Sequence, residues 1–199
     1  ELRKRIQLQG KGPRGLAVTS QAIYVSNFFS DTLNRIELTE ESILHVEEIA
    51  LNDTVNSSSI RLGEMLFHDA SEAFQGWQSC ASCHPDARSD GLNWDLLNDG
   101  IGNPKNTKSL VFSHQTPPAM SVGVRETAEE AVRSGFHHIL FAQKKDGQAR
   151  AIDAYLQSLH PQAGMIGLDE KNREVIQKGM QLFYSNRTHC SSCHNGIYF

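Results

Sequence analysis

All four cysteines of the chain fall in two copies of one five-residue string, Cys80-Ala81-Ser82-Cys83-His84 and Cys190-Ser191-Ser192-Cys193-His194. The spacing carries the chemistry. Two cysteines three apart lie on one side of a helical turn, where their sulfurs reach the two vinyl groups on one porphyrin edge and form thioethers. The histidine that follows swings its imidazole under the iron. Cys80, Cys83, Cys190 and Cys193 are thus expected to attach two haem c groups, with His84 and His194 as their proximal ligands. A zinc ribbon uses pairs ~15–20 residues apart, whereas residues 84–189 separate Cys83 from Cys190. A thioredoxin-like pair needs no histidine after it, and here one follows both times.

The elements that must position these strings show as an internal repeat. Ile60, Gly63, Leu66 and Phe67 precede the first string, and Ile176, Gly179, Leu182 and Phe183 precede the second, at identical i, i+3, i+6, i+7 offsets. Each set is a helical apolar stripe with one glycine, capped by Ser59 or a neighbouring serine in the first copy and by Asp169 in the second. A glycine inside a helix costs about 1 kcal/mol against alanine, which is tolerated where another backbone must pass close by. A partner for the first copy is readable in Ile152, Tyr155, Leu156 and Leu159, a helix that must stop near His160 because Pro161 follows. Gly-x-x-Leu-Phe, then the haem string, then a closing helix resembles the small cytochrome c fold, in which first and last helices cross at the glycine. The second copy reaches its haem string and then Phe199, so it is expected to be incomplete and the chain a fragment.

Composition limits the alternatives. The 199 residues suit one domain or two small ones, and 39% hydrophobic with 21% charged residues excludes disorder and collagen-like structure. No run of ~18 apolar residues exists to span a membrane. A net charge of −4, from 19 basic and 23 acidic residues, argues against a nucleic-acid partner.

The N-terminal part reads differently. Gly12-Pro13-Arg14-Gly15-Leu16-Ala17-Val18, Ala22–Asn27, Thr32–Ile36 and Ile43–Leu51 read as strands separated by turns. Their wording resembles one blade of a YVTN-type β-propeller, which implies further blades upstream, since one blade cannot bury its own faces; an ordinary small β-meander is the alternative. The expected fold class is therefore mainly α, with a blade-like segment at 1–56, a first cytochrome c-like domain at 57–162 and an incomplete second one at 163–199.

Residues 60–199 resemble the bacterial di-haem cytochrome c peroxidases and related di-haem oxidases. The resemblance rests on Leu62-Gly63-Glu64-Met65-Leu66-Phe67-His68-Asp69 before the first haem string, on Asp90-Gly91, and on Lys105-Asn106-Thr107-Lys108-Ser109-Leu110. Counted on without gaps, Met120-Ser121-Val122-Gly123 falls on that family's Phe-Trp-Asp-Gly, and Arg125 lies one residue beyond its arginine. The resemblance implies a peroxide site at the first haem, electron acceptance at the second, calcium between the haem domains, and a periplasmic or extracellular location. Two departures stand out. The family's removable distal histidine falls near Asn98, and its tryptophan between the haems is replaced by Ser121, with Trp94 a candidate to substitute in space.

The sixth ligand of the first haem stays open among Met120, His114 and an open or water-bound site. Both side chains flank Thr116-Pro117-Pro118, a stiff loop suited to presenting a ligand. Methionine would raise the reduction potential and histidine would lower it. Glu130 and Thr127 read as a capping box, whereas Glu126 and Glu129 are candidates for the carboxylate that moves a proton during peroxide cleavage in the family. His68 is expected beside the haem edge, and His189 beside the second string. Of the adjacent His137 and His138, at most one faces a haem. Lys144-Lys145 reads as a solvated helix end, and Met165 lies too early to be a ligand. Two functions are consistent with these residues: electron transfer through two haems in series, with a redox partner protein or further haem domains, or reduction of hydrogen peroxide at the first haem.

Overall fold

The helix that introduces the first string is α1, Ser59–His68, and its cap is Ser58, whose hydroxyl accepts the Arg61 N–H at 3.2 Å. Together with the rest of the fold it is seen in a computed structural model that describes residues 5–38, 43–52, 58–96, 98, 100, 102–143, 146–161 and 170–194. α2 is the single turn Cys80–Cys83, α3 spans Ala128–His138, α4 spans Asp146–Gln157 and α5 spans Glu170–Phe183. α3 opens at the expected cap, with Thr127 Oγ1 accepting the Glu130 N–H, but the Glu130 carboxylate accepts the N–H of Glu126 and not that of Thr127, so only half of the expected capping box forms.

α1 crosses α4 at Gly63. A Cβ placed on Gly63 would lie 1.9 Å from the Ala151 carbonyl oxygen and 2.9 Å from Tyr155 Cβ, so only hydrogen fits. This close approach lets Leu66 and Phe67 interleave with Ile152 and Leu156 of α4 and with Phe136 of α3. Phe67 and Ile152 are each about 1% exposed, and burial of such side chains contributes roughly 1.5–3 kcal/mol apiece. The core of this half of the molecule is therefore the wall that α1, α3 and α4 build together.

A polar network closes α4 from behind. Asp153 is buried and accepts hydrogen bonds from Arg133 of α3 at 2.9 Å and from His114 at 3.3 Å. Burial by itself would raise the Asp153 carboxyl pKa, but the bonds from His114 and Arg133 outweigh it and hold the group below its ordinary value. The resulting stabilisation is fully present above the unfolded carboxyl's pKa, about 4, and is lost as the pH falls through the lower folded value. Asp153→Asn is expected to cost about 2 kcal/mol, below the full cost of breaking a buried pair because Arg133 is partly solvated. Denaturant titration at pH 7 and at pH 3 checks this. The difference between wild type and variant should shrink at pH 3.

The N-terminal strands form one small antiparallel meander in the order β1 (Pro13–Val18), β2 (Ala22–Asn27), β3 (Thr32–Leu38) and β4 (Ile43–Ala50). Among the described strand residues Ala22, Val25, Asn27, Asn34 and Ile36 are buried, and Asn27 donates to Asn34 Oδ1 at 2.6 Å. Two expectations are corrected here. The segment is a small sheet, and the propeller resemblance finds no support: among the described residues the only other ladder is the two-residue pair β5 (Asn93–Trp94) and β6 (Lys105–Asn106). The sheet instead meets α1 through its β2–β3 loop. Arg61 donates to Asp31 at 2.7 Å and to the Phe28 carbonyl, Arg14 donates to Glu64 at 3.0 Å, and both guanidiniums lie over the Phe28 ring. Nor is the fold simply mainly α, because among the described residues a four-stranded sheet accompanies the five α-helices. No described helix is long and apolar enough to cross a membrane.

Among the described residues no partner covers the stripe of the second copy of the repeat. Along α5, Val175, Ile176, Met180 and Leu182 are exposed, and a Cβ on Gly179 would meet nothing within 4 Å. Asp169, the expected cap, lies outside the described residues, as do Lys144, Lys145 and Met165.

Candidate functional site

Ser79 opens α2 by donating its backbone N–H to Ser82 Oγ at 3.0 Å, and the turn closes when the His84 N–H reaches the Cys80 carbonyl at 3.0 Å. This winding brings Cys80, Cys83 and His84 to the wall of one cavity of about 500 Å³, a size within the range of cofactor sites. The core supplies its apolar lining: Phe67 of α1, Val132 and Phe136 of α3, Ile152 and Leu156 of α4. No disulfide joins any of the four cysteines. Burial pushes the Cys80 thiol up to about 11, and burial followed by the nearby Asp90 charge raises that of Cys83.

The His84 ring is fixed in one tautomer. Its Nδ1 lies 3.0 Å from the Arg88 carbonyl and 2.9 Å from the Lys108 carbonyl, and because both are acceptors Nδ1 must carry the hydrogen. Nε2 therefore keeps its lone pair. Burial lowers the imidazole pKa, although these bonds and Asp90 oppose the shift, and a neutral ring is what a metal requires.

Asn98, Met120 and Ser121 also line the cavity. Arg125 Nη2 donates to the Asn98 carbonyl at 3.0 Å and to its Oδ1 at 3.2 Å, while the Ser134 hydroxyl donates to the same Oδ1 at 2.7 Å. With Oδ1 occupied by two donors, the amide has one orientation, and its N–H donates to Met120 Sδ at 3.5 Å. Met120 itself has φ 67° and ψ 175°. That backbone region is almost confined to glycine and costs another residue of order 1–3 kcal/mol, a cost that clusters at functional sites.

The other sequence-predicted residues are distributed as follows. Trp94 lines the cavity and donates its indole N–H to Asp90 Oδ2 at 2.8 Å. His114 is not among the lining residues; its Nε2 faces Asp153, across 39 residues of sequence that no local motif could bridge. Glu126 and Glu129 do not line the cavity either, and Arg133 bonds the Glu129 main chain. His68 packs on Phe29, Phe67 and Tyr155 rather than along the cavity. His137 and His138 pack on each other edge to face, with ring centres 4.6 Å apart. Arg125 and Ser134 reach Asn98 across 27 and 36 residues of sequence, and no spacing signals this cluster.

The second string winds like the first, with the His194 N–H on the Cys190 carbonyl at 2.9 Å, after His189 in a left-handed conformation. Cys193 is exposed, and no described helix covers α5 as α4 covers α1. No group of three or more His, Cys, Asp or Glu that could share a metal ion occurs among the described residues. The calcium site implied by the resemblance thus has no support here.

Residues 57–181 match the family model described as di-haem cytochrome c peroxidase. The chain belongs to the di-haem cytochrome c peroxidase family. Among curated relatives, hydrazine synthase subunit gamma of Kuenenia stuttgartiensis is 29% identical over 156 residues, covering 70% of this chain and 43% of that protein. A solved structure of Kuenenia stuttgartiensis hydrazine synthase pressurised with 20 bar xenon superposes with a TM-score of 0.62 at 24% identity, covering 73% of this chain and 51% of that one. This second likeness speaks to the fold. The chain spans about half the length of these relatives. The family description suggests haem c as cofactor, and the first site fits one on three counts: an apolar cavity of suitable size, two thiols in its wall, and an imidazole whose Nδ1 is occupied and whose Nε2 is free.

Proposed function

We propose that this chain is an electron-transfer module of the di-haem peroxidase family, with haem c held by Cys80 and Cys83 and ligated by His84 Nε2. The observation that carries this reading is what lines the cavity: a methionine sulfur, and among the described lining residues no carboxylate. Bound haem c supplies one-electron chemistry at its iron. The chain's own residues hold and insulate it. The Arg88 and Lys108 carbonyls orient His84, the apolar side chains of α3 and α4 wall the cavity, and Met120, which lines it, would offer the iron its second protein ligand in preference to His114, which Asp153 already engages. A thioether ligand favours the reduced state and suits a carrier. Glu126 and Glu129 have no part in this scheme.

Cys190, Cys193 and His194 hold the second haem c, so that residues 57–162 and 163–199 form two modules in series, preceded by the sheet of β1 to β4. The chain works outside the cytoplasm, where haem c is attached in the relatives that the sequence resembles. Because one relative is named as a subunit, this module passes electrons within a larger assembly or to a partner redox protein. Family membership favours a second reading, peroxide reduction at the first haem.

Optical and electron paramagnetic resonance spectra of the haem-loaded protein separate the two. Electron transfer predicts low-spin ferric haem that is indifferent to added peroxide. Met120→Ala is expected to convert the first haem to a high-spin, peroxide-sensitive form, and His114→Ala to leave its spin state unchanged while lowering stability. A high-spin wild-type signal that reacts rapidly with peroxide would overturn the proposal in favour of the enzyme.

A further inference from the structure

We propose that Asn98 is a positioning residue for Met120, clamping its thioether through an N–H···S hydrogen bond and thereby setting the potential of the first haem. The inference rests on Met120 being the sixth ligand, as argued under the proposed function. Three observations carry it. The Asn98 amide has no freedom to turn, because Arg125, always a donor, and Ser134 both bond its Oδ1 and leave only the N–H₂ to face the sulfur. Arg125 is itself fixed, by Ser134 Oγ at 3.0 Å and 3.1 Å and by the Val124 carbonyl at 3.0 Å. Met120 sits in a backbone conformation foreign to methionine, which surrounding contacts must hold in place.

A thioether sulfur has two lone pairs. Asn98 occupies one and leaves the other for the iron, so only one arrangement of the methionine side chain keeps both bonds. By drawing electron density from sulfur, the N–H makes it a weaker donor, and a weaker donor stabilises ferric iron less than ferrous. The clamp therefore raises the potential and selects a single ligand geometry.

The test uses haem-loaded protein and four forms: wild type, Asn98→Ala, Asn98→Asp and Asn98→Gln. Aspartate keeps the acceptor that anchors the side chain to Arg125 and Ser134 but has no N–H for the sulfur, so it distinguishes loss of the clamp from loss of the fold. Readouts are the midpoint potential, the thioether-to-ferric absorption band, and the number of ligand-methionine methyl resonances in the reduced protein. Wild type and Asn98→Gln are expected to show the band and one methyl resonance. Asn98→Ala and Asn98→Asp are expected to keep haem attached, with a lower potential and a methyl resonance that broadens or splits. Unchanged potential and a single methyl resonance in both Ala and Asp variants would overturn the clamp while Met120 ligation stands. Absence of the thioether band from the wild type would overturn the ligation and the clamp together.

Discussion

Gly63→Ala is expected to destabilise the first haem module by about 2 kcal/mol, whereas the same change at the repeat-equivalent Gly179 stabilises α5 by about 0.5–1 kcal/mol. The difference is entirely in what the new methyl group meets. At Gly63 it would lie 1.9 Å from a main-chain carbonyl oxygen of α4, which cannot rotate away, so the two helices must separate and loosen Leu66, Phe67 and Ile152. Overpacking of this kind costs ~1–3 kcal/mol and occasionally more, and the intrinsic helix gain of alanine over glycine, about 1 kcal/mol, offsets only part of it. At Gly179 no described atom lies within reach, so only the helix gain remains. Denaturant midpoints of the two single variants, read by helical circular dichroism, should move in opposite directions. Equal effects would mean that α1 and α4 do not cross at Gly63.

His84→Gly should have the larger effect on chemistry. It removes the nitrogen proposed to ligate the first iron and leaves the Arg88 and Lys108 carbonyls without their donor, each a loss of order 1 kcal/mol. The thioethers at Cys80 and Cys83 are untouched, so the haem should stay covalently bound while its low-spin signal is lost. Imidazole added to millimolar concentration is expected to enter the vacated space and restore the low-spin spectrum. His84→Gln tests orientation separately, because its amide can still donate to the two carbonyls yet provides no imidazole nitrogen. Persistence of the wild-type spectrum in the glycine variant would remove His84 from the ligand set.

What could be read from the sequence was whatever depends on short spacing. The apolar offsets before each haem string, the glycine among them and the proline after the closing helix describe local geometry, and α1, α4 and their crossing at Gly63 follow from them. The same offsets before the second string imply a crossing for which no partner is described. The four strands were legible from alternation and turn residues, but the blade resemblance was not supported, because a run of strands does not reveal what the sheet packs on; here the β2–β3 loop docks on α1 through Arg61, Asp31 and Phe28.

Long-range hydrogen bonding was not legible. His114 looked like a ligand because it flanks a proline pair, yet it serves Asp153, a buried charge inside the apolar face of α4 whose role appears only when α3 supplies Arg133. Asn98 was visible merely as a departure from the family, and its partners Arg125 and Ser134 lie on other segments. Only analogy with a carboxylate in the family points to Glu126 and Glu129, and the fold leaves both outside the cavity.

The most direct measurement is mass spectrometry of peptides from the natural protein, isolated from cells that attach haem c and digested without reduction. The account predicts that the peptides containing Cys80–His84 and Cys190–His194 each carry one haem through two thioethers and do not react with an alkylating agent. Alkylatable free thiols, a cystine or a zinc adduct at Cys80 and Cys83 would contradict it.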